Sequence, residues 1–246
     1  MIAIGDKKGG STELTLRDEA DPVAALLRLS SGLLQGLPIR LVHVIRSPFE
    51  IIATELLIRW LAAAAPNCTR RFAAYRDGKA ALRANGTLLT GTADGWREFT
   101  RDVCQRLRGN GHLRDAIARA PGLCVTDTAA PDACERGRPP VAWIDSSYED
   151  WLSDPQGQLR AVLGFVGVSA DDAFLDAAAG AVEPHESRER DLLLWPRPAV
   201  QQVLSELETM GASGNGTAAG GRLAPMLAAY TRDESLPPHV RAEYPA

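Results

Sequence analysis

Arg46, Ser47, Pro48, Glu50 and Thr54 stand at spacings that build an anion site. Arg46 closes a β-branched, apolar run at 41–45 that is too short for a helix and has the composition of a parallel strand covered on both faces. Ser47 fits an N-cap, Pro48 the first helical position and Glu50 the third, which predicts a capping box opening a helix that runs to about Ala64. Such a helix turns its N-terminal amides and positive dipole end toward the strand's carboxyl edge, where open α/β sheets bind ligands. Arg46 adds a permanent, forked cation, and Thr54, seven residues past the cap and on nearly the same helical face, adds a hydroxyl. Phosphate or sulfate suits these parts, and the competing reading is an ordinary strand, turn and helix with a surface arginine.

These residues resemble the sulfotransferases that use 3′-phosphoadenylyl sulfate (PAPS). In that family a strand ends in Arg-x-Pro, and a hydroxyl residue eight positions after the arginine joins it on the cofactor's 3′-phosphate. Arg46, Pro48 and Thr54 match, with threonine where serine is usual. A second match begins with the short strand VAWID at 141–145 and continues as SSYEDWLSDP, similar to the family's "YEDL…DP" and the amphipathic helix after it. That helix is expected at 158–165, with Leu159, Val162, Leu163 and Val166 on one face and Gly167 as its stop, while Tyr148, Glu149 and Asp154 read as capping and orienting residues. A third match is ESRER at 186–190, ahead of Trp195-Pro196 and a helix at 198–210. Here the resemblance makes Arg188 a second phosphate contact and Arg190 a weaker one, although such mixed-charge runs also read as solvated loops.

The opening residues, IAIGDKKGG at 2–10, read as a strand end entering a glycine-rich turn whose amides can approach an anion. Only three lysines, Lys7, Lys8 and Lys79, stand against twenty-four arginines. Two adjacent lysines in such a turn suggest a compact, mobile ammonium that follows a transferring sulfuryl group. Related sulfotransferases place a lysine just after the equivalent strand, so the resemblance makes Lys7 and Lys8 the catalytic candidates, Lys7 being nearer the strand end. The alternative is a flexible turn with solvated charges. The family's Lys-x-Pro context is missing, and so are its "PKxGTT/S" sulfate loop and any GxxxxGK[ST] loop. The resemblance covers about residues 2–210 and corresponds to the latter two-thirds of a complete domain. The expectation is a shortened or degenerate relative that transfers sulfate poorly or not at all, with His43 a satisfied core histidine inside a buried strand rather than a base.

A chain of 246 residues that is 45% hydrophobic can bury a sizeable core as one domain. Net charge of −4 argues against a nucleic-acid partner, and the longest apolar segment, 51–65, is interrupted by Glu55 and Arg59, so no membrane span is expected. The fold class expected is α/β. The order of elements suggests a doubly wound parallel sheet with flanking helices, and the resemblance implies that this is a P-loop NTPase-like sulfotransferase fold incomplete at the N-terminus. This domain is expected over 1–210, followed by a flexible linker and irregular tail at 211–246. Residues 66–92 read as a polar helix and loop, the part that varies with acceptor in related enzymes, and 93–120 as a helix broken at 109–111.

Cys68, Cys104, Cys124 and Cys134 lack CxxC spacing, so no metal site is expected, and Cys124 and Cys134 either pair or remain thiols. Three of the four asparagines, Asn67, Asn85 and Asn215, lie in N-x-[ST] sequons, which points to the Golgi lumen if an upstream anchor exists and otherwise leaves a cytoplasmic protein. The activity implied is sulfuryl transfer from PAPS to a hydroxyl or amine of a carbohydrate or small molecule. The alternatives are a non-catalytic relative that retains nucleotide or partner binding, and another nucleotide-fold protein such as a small-molecule kinase.

Overall fold

The computed structural model describes Ala24, Arg28 and residues 39–65, 67–120, 124–126, 140–181, 189–213, 228–232 and 236–237. Lys7, Lys8, Arg188, Cys134 and Asn215 lie outside the described residues. The protein is mixed α/β, mostly helical, with a small parallel sheet. Its elements are β1 (Ile39–Ile45), α1 (Pro48–Ala62), α2 (Cys68–Asn85), α3 (Ala93–Ala118), β2 (Cys124–Thr126), β3 (Pro140–Ser147), α4 (Tyr148–Ser153), α5 (Pro155–Val166), α6 (Asp172–Gly180), a 3-10 turn (Glu189–Leu192) and α7 (Arg197–Ser213). They fall into two compact units: the described residues up to Ile45 and those from Leu107 to Ala181 belong to the first, and those from Arg46 to Arg106 and from Glu189 to Ala212, with 228–232 and 236–237, to the second.

The first unit holds the sheet, in strand order β1-β3-β2, with α4, α5 and α6. β1 and β3 run parallel with Val42 opposite Ile144 and His43 opposite Asp145. Val42 and Val44 are exposed, so β1 lacks the two-sided cover that its apolar composition predicts. Local chemistry sets the helices. Ser147 accepts from the amide of Asp150 at 3.3 Å to start α4, and Asp154 accepts from that of Gly157 at 2.9 Å to start α5. Gly167 ends α5 in the left-handed region at φ 76°, and the amides of Gly167 and Val168 close onto Gly164 and Leu163. The predicted "YEDL…DP" connection therefore forms with Asp154 as a cap and Gly167 as the stop.

The second unit is helical. α1 packs against α2 and against the 3-10 turn through a core of Phe49, Ile52, Leu56 and Leu57, all fully buried. An aromatic series extends it: Phe49 meets Trp195 at 5.4 Å, Trp195 meets Trp96 at 4.8 Å and Trp96 meets Trp60 at 6.2 Å between ring centroids. Val200, Val203 and Leu207 of α7 are buried. Tyr230 and Leu236 are buried as well, so the segment expected to be an irregular tail contributes packed side chains. α3 continues through 109–111, where a break was expected: glycine lowers helix propensity by about 1 kcal/mol without forbidding the conformation. α7 likewise continues past Gly211 to Ser213.

Candidate anion and carboxyl site

β1 ends at Ile45 and α1 begins at Pro48, as the spacing predicts, with the proline in the first turn. The capping box does not form. Ser47 makes no side-chain cap bond, and Glu50, the residue expected to reach back to it, turns instead to the guanidinium groups of Arg46 and Arg190 at 3.9 and 3.5 Å. Glu50 is buried, and the two guanidinium groups are the polar partners that reach its carboxyl group there.

Arg190 belongs to the 3-10 turn, which is held in place by backbone bonds to the loop after α2. The amide of Leu89 donates to the carbonyl of Leu192, that of Leu194 donates to Leu89, each at 2.9 Å, and Trp195 Nε1 donates to the carbonyl of Arg190 at 2.9 Å. This anchoring brings Glu189 into the centre of a polar cluster. Lys79 Nζ on α2 donates to Glu189 Oε1 at 2.7 Å, Tyr75 Oη donates to the same oxygen at 3.3 Å, and Arg46 Nη2 reaches Glu189 Oε2 at 3.5 Å. Lys79 also lies 4.2 Å from the centroid of the Tyr75 ring. Thr54 Oγ1 donates to the carbonyl of Glu50 at 2.8 Å. Three segments far apart in sequence thus converge on one site, and every member belongs to the second unit.

The electrostatics follow from burial. Glu50 is pushed up from its ordinary 4.5 to about 8, chiefly by desolvation, with Arg190 opposing and Glu189 reinforcing the shift. Glu189 is buried too, yet its hydrogen bond and charge interaction with Lys79 outweigh that cost and hold it below the ordinary value. Desolvation and the charge of Glu189 raise Tyr75. At neutral pH Glu50 therefore carries its proton and faces an ionised Glu189, the division expected of two carboxyl groups sharing one pocket. The cations Arg46, Lys79 and Arg190 then face Glu189 and Asp191, the latter 3.5 Å from Arg190 Nε, which leaves an excess of positive charge. Arg46 is the partly exposed cation of the three, its side chain 27% accessible against 9% for Lys79 and 7% for Arg190.

Of the residues predicted from sequence, Arg46 and Thr54 join this cluster, as does Arg190, the weaker candidate of its segment. Lys79, Tyr75 and Glu189 were missed. The scarcity of lysine that singled out Lys7 and Lys8 applies equally to Lys79, and that was the available signal. In the first unit His43 has the polar partner expected but is part-exposed rather than core: its Nδ1 is 3.1 Å from Asp145 Oδ1, which also accepts from Trp143 Nε1 at 3.0 Å, and its side chain is 21% accessible. Among the described residues no group of His, Cys, Asp and Glu is arranged to hold a metal ion, and no helix is long and apolar enough to cross a membrane. Comparison with protein-family models, with curated proteins and with solved structures gives no match for this chain.

Proposed function

We propose that the second unit binds the 3′-phosphate of an adenosine 3′,5′-bisphosphate-type nucleotide, as a PAPS-dependent sulfotransferase or a relative of one. One observation carries this reading: Arg46 and Thr54, picked by the Arg-x-Pro spacing, and Arg190, some 140 residues downstream, come together in one cluster with Lys79. Arg46 would be the main contact, presented at the N-terminal end of a 15-residue helix whose dipole favours an anion. Thr54 would add a hydroxyl and Arg190 a second guanidinium. The finer fold assignment, a doubly wound sulfotransferase-type sheet, belongs to the same proposal, as does the activity it implies, sulfuryl transfer to a hydroxyl or amine of a carbohydrate or small molecule.

A second reading has an observation of its own. Arg46 already lies against Glu189 and Glu50, the arrangement of a structural contact in a non-catalytic relative that binds a partner in place of the nucleotide. The two differ in ligand response. Titration with adenosine 3′,5′-bisphosphate and with adenosine 5′-phosphate is expected to show binding that depends on the 3′-phosphate; equal or absent binding of both nucleotides overturns the proposal.

A further inference from the structure

We propose that Asn67 and Asn85, at opposite ends of α2, carry N-linked glycans, which places this chain in the lumen of a secretory pathway. Both are followed two positions later by threonine, in the sequences Asn67-Cys68-Thr69 and Asn85-Gly86-Thr87. A motif of this length recurs by chance, so the weight falls on where the fold puts it. A glycan is bulky and must leave the protein surface into water. Asn67, Thr69, Asn85 and Thr87 are all exposed, whereas Lys79 of the same helix is buried.

The backbone at each site also suits the modification. Asn67 is the N-cap of α2 in an extended conformation, φ −148° and ψ 167°, and its Oδ1 accepts from the amide of Arg70 at 2.9 Å. Asn85 is the last helical residue, and the chain turns away through Gly86 in the left-handed region at φ 60°, a conformation that glycine adopts without strain. In the transfer itself the Asn Nδ2 attacks the anomeric carbon of a lipid pyrophosphate-linked oligosaccharide. The Nδ2–carbon bond forms, the carbon–oxygen bond to pyrophosphate breaks, Nδ2 gives up one proton and the lipid pyrophosphate leaves. The modified amide keeps its carbonyl oxygen, so the cap bond from Arg70 survives. The helix closure at the other end, from the amides of Gly86 and Thr87 to Arg83 and Leu82, is backbone only and is likewise undisturbed. Capping explains an asparagine at 67 but not a threonine at 69, and it explains neither residue of the second pair.

The test uses protein recovered from the cells that make it, treated with peptide N-glycosidase in heavy-oxygen water, which converts each glycosylated asparagine to labelled aspartate, and then mapped by mass spectrometry. Label is expected at Asn67 and Asn85 and not at Asn110, which lies in Asn110-Gly111-His112 and has no sequon. Thr69→Ala and Thr87→Ala should each abolish one label while leaving the Asn67 cap in place. Recovery of Asn67 or Asn85 as unlabelled asparagine overturns the proposal.

Discussion

Glu189→Gln should destabilise the protein by about 3 kcal/mol. Glu189 is the common partner of Lys79 at 2.7 Å, Tyr75 at 3.3 Å and Arg46 at 3.5 Å, and its side chain is 5% exposed. At the Lys79 distance, Coulomb attraction in an effective dielectric of about 20 amounts to roughly 6 kcal/mol, most of which offsets the desolvation of the two charges. Neutralising one partner removes the attraction and leaves the buried ammonium of Lys79 uncompensated, which costs about 3–5 kcal/mol in comparable pairs. The lower figure applies here because the glutamine carbonyl can still accept from Nζ and the Tyr75 ring still faces it. Lys79→Met together with Glu189→Gln should recover much of the loss, with a coupling of at least about 1.5 kcal/mol in the double-mutant cycle. Urea unfolding followed by tryptophan fluorescence reads the effect where it arises, since Trp60, Trp96 and Trp195 lie in the same unit as the cluster. A single variant within about 0.5 kcal/mol of the parent, or strictly additive effects, would refute the reasoning.

Two further outcomes follow. Because Glu50 is raised from 4.5 to about 8, the folded state binds more protons than the unfolded chain across that interval, so this group's contribution is full below pH 4.5 and is lost as pH rises through 8; Glu50→Gln should flatten the fall in stability over that window, and an unchanged profile would contradict the assignment. Gly91 approaches Trp60 and Trp96 so closely that an added Cβ would overlap both indoles, so Gly91→Ala should cost about 1–3 kcal/mol by overpacking, measurable as a lower urea midpoint at unchanged slope.

The sequence revealed the elements wherever a local signal was strong. The apolar run before Arg46, the proline at 48, the Asp154 cap and the Gly167 stop each act within a few residues, and each appears where spacing predicted it. What escaped was the choice among competing partners. Glu50 suits a capping box by its position, and it turns instead to Arg46 and to Arg190, the latter arriving from 140 residues away. Lys79 and Tyr75 sit on a helix whose composition is polar and alanine-rich, so nothing local marks them as buried, and their role depends on Glu189 being carried to them by the backbone bonds at Leu89. The glycines of α3 misled in the opposite direction, since a modest propensity cost was read as a break.

The central claim is that Arg46 is an anion contact and more than a structural ion pair, and isothermal calorimetry with adenosine 3′,5′-bisphosphate tests it most directly. Arg46→Ala should lose about 1.5–3 kcal/mol of binding free energy, the amount expected for a hydrogen bond to a charged group. Arg59→Ala is the control: it lies on the same helix and is ion-paired to Glu98 at 2.7 Å on the surface, so its removal should leave affinity unchanged. A selective loss at Arg46, in a variant whose unfolding curve shows it to be folded, is the result predicted, whereas equal affinity in Arg46→Ala and the parent, or an equal loss in Arg59→Ala, would contradict it.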